Sequence, residues 1–221
     1  MKLQKKTLVA AILLATSSLV QAGFSGNVAL TTDYVWRGIS QAGEDIAIQG
    51  GFDFEHESGA YAGVWASNVD YNAPGTVETD LYFGFANALG DFSYDVWYID
   101  YLYPDNGAIN FDEVGFSVGY DFKVISFSAG ISSNDIIVEN DDIGTYYEAG
   151  VDVPIGSTGI SIAGHVGKYD LQGGAENYVD WKLGVAADFA GFGFDLSYSD
   201  TDLGNIDIAD KRVFLTVSKA L

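Results

Sequence analysis

The feature that most constrains this chain is an alternation of apolar and polar residues along nearly its whole length. Between residues 24 and 36 the even positions are mostly apolar or aromatic, and the odd positions are mostly polar or small. The same pattern recurs at 45–56, 111–122, 180–188 and 192–199. A period of two places successive side chains on opposite faces of a β-strand, whereas a helix repeats every 3.6 residues. The sequence therefore predicts an all-β chain whose strands each have one apolar face.

The alternating runs divide into about twelve strands joined by two kinds of connection. Short turns are centred near residues 57, 90, 122, 156 and 190, and longer polar loops lie between them. Each strand is therefore expected to pair with the next one along the chain. The predicted strands are 24–39, 45–56, 60–70, 77–88, 92–103, 111–122, 124–133, 143–153, 159–170, 178–188, 192–201 and 209–221.

Long strands with short turns at one end and longer loops at the other are typical of bacterial outer-membrane barrels. Closure of the sheet pairs every backbone amide and carbonyl, as a bilayer requires. A soluble β-sandwich would need many wet strand faces without large apolar residues, but nearly every strand here has a broad apolar face. We therefore predict a closed antiparallel up-and-down transmembrane β-barrel of about twelve strands over residues 23–221. Ten or fourteen strands remain alternatives, and the four tryptophans are expected at the bilayer interface.

The first 22 residues have the composition of a secretory signal peptide. Lys2, Lys5 and Lys6 precede an apolar run from Leu8 to Leu14, and small residues lead to Ala22. We predict cleavage after Ala22 and location in the bacterial outer membrane. The expected partners are outer-membrane lipid, lipopolysaccharide and the barrel assembly machinery. The chain has no cysteine, so neither disulfides nor thiolate metal ligands hold it together.

The charge balance excludes one large class of function. The chain has 31 acidic and 10 basic side chains and a formal net charge of −21, which disfavours binding to nucleic acid phosphates. Its high hydrophobic and aromatic content argues against disorder. The acidic loop at 139–142 has the oxygen ligands that divalent cations prefer, but no EF-hand spacing, so solvated loop charge is the favoured interpretation.

Alternation also predicts which charged residues face the lumen. An acidic inner wall should favour cations. Asp152 and Asp188 have the same inward parity, and the residues expected to line the pore or its mouth are Asp33, Arg37, Asp45, Asp53, Glu78, Asp80, Asp95, Glu113, Asp121, Glu148, Asp180, Lys182, Asp195 and Arg212.

Arg37 stands out because guanidinium groups are rare in so acidic a chain. If the first strand continues to residue 39, Arg37 faces inward near the outer rim, beside the seam where the last strand closes the barrel. It would then pair with Asp45 or Asp210 and fix that closure. Alternatively, Arg37, Lys182 and Arg212 stand opposite a wall of carboxylates and produce a transverse field that orients dipolar or zwitterionic solutes.

Other functions are predicted less strongly. Only His56 and His165 could act as a histidine base, and the chain has no G-x-S-x-G, H-E-x-x-H or phosphate-loop motif. An enzyme is therefore not expected, and no cofactor or metal is implied. A structural barrel plugged by large inward residues such as Tyr82 and Trp97 remains an alternative to a channel.

The segment FSGNVALTTDYVWRGISQ at residues 24–41 resembles the start of the TorF-family porins, a bacterial group of poorly defined function. The resemblance is most specific over 34–41 and extends in general plan over the rest of the chain. It implies an outer-membrane location and a diffusion or transport role. The function predicted overall is a cation-preferring, porin-like channel for small hydrophilic solutes.

Overall fold

A computed structural model describes residues 22–72, 75–134, 143–204 and 206–221. In it, twelve strands form one closed antiparallel barrel, which confirms the predicted fold class. The predicted signal peptide, apart from Ala22, and the acidic loop at 139–142 lie outside the described residues.

Most of the described part of the chain is strand. Two one-turn 3-10 helices lie at Gly107–Ile109 and Asp207–Ala209. Two short strands, β2 (Val35–Trp36) and β3 (Ile39–Ser40), form a separate ribbon. The barrel strands are β1 (Gly23–Thr31), β4 (Ala47–Glu55), β5 (Ala60–Asn68), β6 (Val77–Leu89), β7 (Phe92–Leu102), β8 (Phe111–Asp121), β9 (Ser126–Ser133), β10 (Gly144–Pro154), β11 (Ile160–Leu171), β12 (Tyr178–Phe189), β13 (Phe192–Thr201) and β14 (Arg212–Ala220). No helix among the described residues is both long and apolar enough to cross a bilayer.

Each barrel strand pairs with its sequence neighbours, and β1 closes the ring. It pairs with β4 from Gly23 opposite Glu55 to Thr31 opposite Ala47. On its other side it pairs with β14, where Thr31 lies opposite Thr216. Closure leaves no unpaired sheet edge, which is the condition for a strand to cross a bilayer.

The two ends of the barrel differ as predicted. The short-turn end contains the five tight turns, the start of β1 and the end of β14. The long-loop end contains the remaining connections, including the two 3-10 helices. We use these two names for the ends, and for the corresponding halves of the lumen.

Alternation places most large aliphatic side chains and phenylalanines on the outside, and polar or small residues together with large aromatic ones on the inside. Phe52 and Leu183, for example, are 66% and 54% exposed on the outer face. The expectation that the tryptophans lie at the bilayer interface is wrong for three of the four. Trp65 and Trp97 occupy inward positions on β5 and β7, and Trp36 lies in the β2–β3 ribbon. Only Trp181 is on the outer face.

The first strand is shorter than predicted. It leaves the barrel wall after Thr31, and residues 32–43 fold into the lumen as a segment that we call the inner hairpin. Its turn consists of Arg37 and Gly38, both with positive φ, at 48° and 80°. Positive φ at both central residues is the geometry of a type I′ hairpin turn. The alternation continues past Thr31 because the hairpin is itself extended chain, so the pattern alone does not reveal the departure.

Candidate functional site

The inner hairpin crosses the lumen from one wall to the other. It is closed by pairing of Trp36 with Ile39 and by a hydrogen bond from the Gln41 amide to the Tyr34 carbonyl, 2.7 Å long. It begins at β1, and its tip contacts β8 and β9. In a ring of twelve strands β9 lies six places from β1 in either direction, so the tip reaches the opposite side of the barrel.

Arg37 anchors this tip. Its Nη2 lies 2.5 Å from Oε2 of Glu113 and donates a 3.0 Å hydrogen bond to Ser132. The guanidinium also lies over the rings of Tyr146 and Tyr169, at 4.1 and 4.7 Å from their centroids. Only 8% of the Arg37 side chain and 3% of the Glu113 side chain are exposed. Burial alone disfavours the charged guanidinium, but the Glu113 carboxylate outweighs it and the pKa of Arg37 is raised. Arg37 is therefore a buried, permanently charged anchor.

The predicted pairing of Arg37 with Asp45 or Asp210 at the barrel seam is wrong. Asp45 is exposed in the turn before β4, and the ion-pair partner of Arg37 is Glu113. The reason is that the chain leaves the wall at Thr31 and carries Arg37 across the lumen.

The seam has a different basic residue. Arg212 Nη1 lies 2.8 Å from Oδ2 of Asp33 and 3.2 Å from Oε1 of Glu44. Asp33 in turn accepts a 2.6 Å hydrogen bond from Ser40. Arg212 thus fixes the base of the inner hairpin, whereas Arg37 fixes its tip.

Aromatic side chains pack on both sides of the hairpin. On one side, Trp36 and Ile39 pack against a buried cluster of Tyr146, Tyr169 and Tyr178. On the other, Tyr34 packs against Val69, Tyr101 and Tyr103. The long-loop half of the lumen is therefore largely filled at the level of the hairpin.

A cavity of about 80 Å³ remains between the hairpin and strands β6–β8. Glu78, 2% exposed, lies in its wall and accepts hydrogen bonds from Tyr34 at 2.7 Å and Tyr103 at 2.5 Å, with Tyr71 at 3.4 Å. Burial and the adjacent Glu78 raise the pKa of Tyr34 and of Tyr103. Both phenols therefore remain neutral donors well above neutral pH. The cavity is lined by Tyr34, Trp36, Gln41, Glu78, Tyr101, Tyr103 and Phe111.

Two buried polar atoms near the hairpin lack a hydrogen-bond partner among the described residues. They are Oδ1 of Asp80 and Nη1 of Arg37. Asp80 follows Glu78 by two positions on the inner face of β6, opposite Tyr101 of β7. Buried polar groups are normally paired, so both atoms retain an unused hydrogen-bonding position.

His165 lies in an acidic setting on the inner face of β11. Its Nε2 is 2.9 Å from the Tyr146 hydroxyl and 3.4 Å from Asp180, and its Nδ1 is 3.9 Å from Glu148. A catalytic histidine in a serine hydrolase instead faces a nucleophile on one side. The ring here faces two carboxylates and a phenol.

The short-turn half of the lumen has half-buried carboxylates on several strands. Tyr82 donates a hydrogen bond to Asp53, and Tyr61 donates to Asp95 at 3.0 Å. Asp152 and Asp195 occupy inward positions on β10 and β13. In the described part of the chain, none of these four carboxylates has a lysine, arginine or histidine within 4.0 Å.

The other predicted lumen residues are distributed over both halves. Asp121 ends β8 and accepts a 2.6 Å hydrogen bond from the Lys123 amide, so it caps a short turn. Lys182 lies on the inner face of β12, opposite His165 in the register. The hairpin brings Glu113, Glu148 and Asp180 into one region of the long-loop half, and Glu78 and Asp80 into another.

Sequence reasoning missed most of the aromatic groups around the hairpin. Tyr101, Tyr146, Tyr169 and Tyr178 have the same inward parity as the predicted carboxylates, so alternation could have placed them in the lumen. Their contacts around Arg37 depend on the path of the hairpin, and no local sequence pattern indicates that path.

A family model matches residues 15–220, nearly the whole chain. Its description is "Bacterial protein of unknown function (Gcw_chp)". The chain belongs to this family. No curated protein sequence gives a significant match. The name TorF is not confirmed by these findings.

Solved structures with the same fold include bacterial porins. The KdgM porin has a TM-score of 0.61 at 5% identity, with 90% of this chain and 98% of that chain covered. The NanC porin has a TM-score of 0.59 at 10% identity, with 88% and 98% covered. LpxR from Salmonella typhimurium has a TM-score of 0.52 at 9% identity, with 89% and 99% covered. At such identities the likeness shows the fold alone, and this fold occurs in porins as well as in LpxR.

Proposed function

We propose that the protein is an outer-membrane channel through which small hydrophilic solutes diffuse passively, with a preference for cations. The observation that carries the proposal is the closed barrel with an apolar outer face and an inner face rich in carboxylates. The occurrence of the same fold in the KdgM and NanC porins supports it.

The outer face supports a membrane location. Exposed apolar side chains on successive strands would cost free energy in water but match the hydrocarbon of a bilayer. We propose that an N-terminal signal peptide exports the chain, that the barrel assembly machinery inserts it, and that its outer rim contacts lipopolysaccharide.

The charge of the inner wall supports the cation preference. Among the described residues, the inward-facing guanidinium groups of Arg37 and Arg212 are occupied by ion pairs with carboxylates. The four short-turn carboxylates named above have no such partners, so their field extends into the water of the lumen. The carboxylates there partly compensate a cation for the hydration free energy that it loses when part of its hydration shell is removed. The KdgM porin has been solved with oligogalacturonate, an acidic saccharide, and we do not expect this lumen to favour a polyanion of that kind.

The inner hairpin sets the size limit in this proposal. It spans the lumen and is fixed at both its base and its tip, so solutes have to pass beside it. We therefore expect a narrow channel for small molecules.

Solute uptake into liposomes tests this function. Refolded protein in liposomes should admit lysine faster than glutamine, and glutamine faster than glutamate, three solutes of similar size and different charge. Equal rates for the three would contradict the cation preference. No uptake by folded protein, with folding checked by heat-modifiable migration on a gel, would contradict the channel.

One observation favours a second candidate, a plugged structural barrel. The hairpin residues Ser40 and Ala42 are 1% and 2% exposed, which is core-like packing. In that case neither uptake nor conductance would be seen in any folded variant that keeps the hairpin. An enzyme is the weaker alternative, because His165 faces acids and a phenol instead of a nucleophile.

A further inference from the structure

We propose that the cavity between the inner hairpin and strands β6–β8 binds a small primary alkylammonium ion. This deepens the proposed function, on which it rests for the route by which the ion reaches the cavity. It assigns one class of solute to one place in the lumen.

Two buried carboxyl groups lie at the cavity without a cationic partner. Glu78 lines the cavity, and Asp80 lies two positions further along the inner face of β6, outside that lining; they are 2% and 8% exposed. Among the described residues no lysine, arginine or histidine lies within 4.0 Å of either carboxylate. The nearby guanidinium of Arg37 is directed to Glu113 instead. A buried carboxyl group is normally either matched by a cation or neutralised by a proton, and no described side chain supplies the cation here.

Hydrogen-bond acceptors at and beside the cavity are only partly used. Oδ1 of Asp80 is buried and accepts no hydrogen bond from the described residues. The two oxygens of Glu78 accept from three phenols, but a carboxylate has about four acceptor positions. A primary ammonium has three N–H donors, and acceptors for them in the cavity lining are the carboxylate of Glu78 and the amide oxygen of Gln41, whereas Asp80 lies outside that lining.

Aromatic rings form much of the cavity surface. Trp36, Tyr101 and Phe111 line the cavity, and the rings of Tyr101 and Phe111 stack with their centroids 4.4 Å apart. Ring faces attract cations and also cover an alkyl chain. Such a wall is unsuited to an anion. It is also unsuited to a metal ion, because apolar ring surfaces cannot replace the ion's hydration shell.

Volume limits the ligand. A water molecule in the liquid occupies about 30 Å³, so a cavity of about 80 Å³ holds a group of roughly two or three heavy atoms. Ethylammonium fits this limit and tetraethylammonium exceeds it.

Saturation-transfer NMR on refolded full-length protein tests the site, because it detects weak binding directly and does not depend on conductance. The probes are ethylammonium, its neutral analogue ethanol and tetraethylammonium, at constant ionic strength. We expect saturation of the ethylammonium signal only, and a loss of affinity of about tenfold or more in Glu78→Gln, since a hydrogen bond to a charged group is lost. Asp53→Asn is the matched control, because it removes an inward carboxylate that accepts from a tyrosine in the other half of the lumen.

The outcomes separate this inference from the proposed function. Binding that Glu78→Gln weakens and Asp53→Asn does not would support the site, even if the liposomes admit no solute. Solute uptake without ethylammonium binding, or equal binding of ethanol, would overturn the site and leave the channel standing. If Glu78→Gln does not fold, Phe111→Leu removes one ring face without changing charge, and unchanged affinity in that variant would also overturn the inference.

Discussion

The tip anchor of the inner hairpin makes the sharpest energetic prediction. Arg37→Asn removes the guanidinium, and asparagine tolerates the positive φ of the turn, so the backbone conformation remains accessible. Glu113, 3% exposed, is then left buried without its cation. Removing one partner of a buried ion pair costs about 3–5 kcal/mol. The loss of the contacts with Tyr146 and Tyr169 adds to this cost.

A double-mutant cycle separates the ion pair from these other contacts. Glu113→Gln in the Arg37→Asn background replaces the stranded carboxylate by a neutral amide. We therefore expect the double variant to be more stable than Arg37→Asn alone, although two interactions have been removed. The free energies of unfolding would be measured by urea titration in lipid vesicles, followed by tryptophan fluorescence.

The cycle also shows what would refute the reasoning. If the two single substitutions add within about 0.5 kcal/mol, the residues are not coupled and the anchor does not operate as described. Arg37→Lys is a useful companion, because it keeps the charge but not the planar group that stacks on the tyrosines. We expect it to fall between the wild type and Arg37→Asn.

Three further predictions concern other parts of the molecule. Gly38→Ala should lower stability more than Gly173→Ala: both glycines have positive φ, but a Cβ at Gly38 would meet Thr201 and Asp180, whereas none of the described atoms lies within 4 Å of one at Gly173. A side chain at positive φ costs about 1–2 kcal/mol at either position. Equal urea midpoints for the two variants would show that the hairpin is not tightly packed at Gly38. The pKa values of Tyr34 and Tyr103 are raised on folding, so above about pH 10 the unfolded state loses protons that the folded state retains. The free energy of unfolding should therefore be constant below that pH and decline above it. The Tyr34→Phe/Tyr103→Phe variant should decline less steeply, and an identical pH profile would contradict the assignment. The double substitution Asp95→Asn/Asp152→Asn should reduce the preference for lysine over glutamate in liposomes, whereas Asp100→Asn, at an outward-facing position, should not. Equal effects would show that the inward carboxylates do not determine this preference.

The barrel itself could be predicted from the sequence because its signal is local and repeated. Every strand alternates, and every second connection is short, so the fold class, strand number and inward face follow from the period of two. The inward positions of Glu78, Glu113 and Asp180 follow in the same way.

The inner hairpin could not be predicted because its determinants are distant in sequence. The alternation at residues 32–36 is equally compatible with continuing the wall, and an Arg-Gly pair is not the usual Asn-Gly or Asp-Gly signal for a type I′ turn. What turns the chain inward includes Glu113, 76 positions after Arg37, and Arg212, 179 positions after Asp33. The tryptophans show a similar limit: Trp97 has the inward parity of Asp95, but its apolar character suggested the interface instead.

The measurement that tests the central claim most directly is single-channel recording in planar bilayers under a potassium chloride gradient, comparing the wild type with Arg37→Asn. We expect small discrete steps with a cation-selective reversal potential in the wild type, and larger steps in the variant, because the hairpin tip is no longer fixed to the far wall. Folded protein without steps in either form, or an anion-selective reversal potential, would contradict the account of a cation-preferring channel narrowed by the inner hairpin.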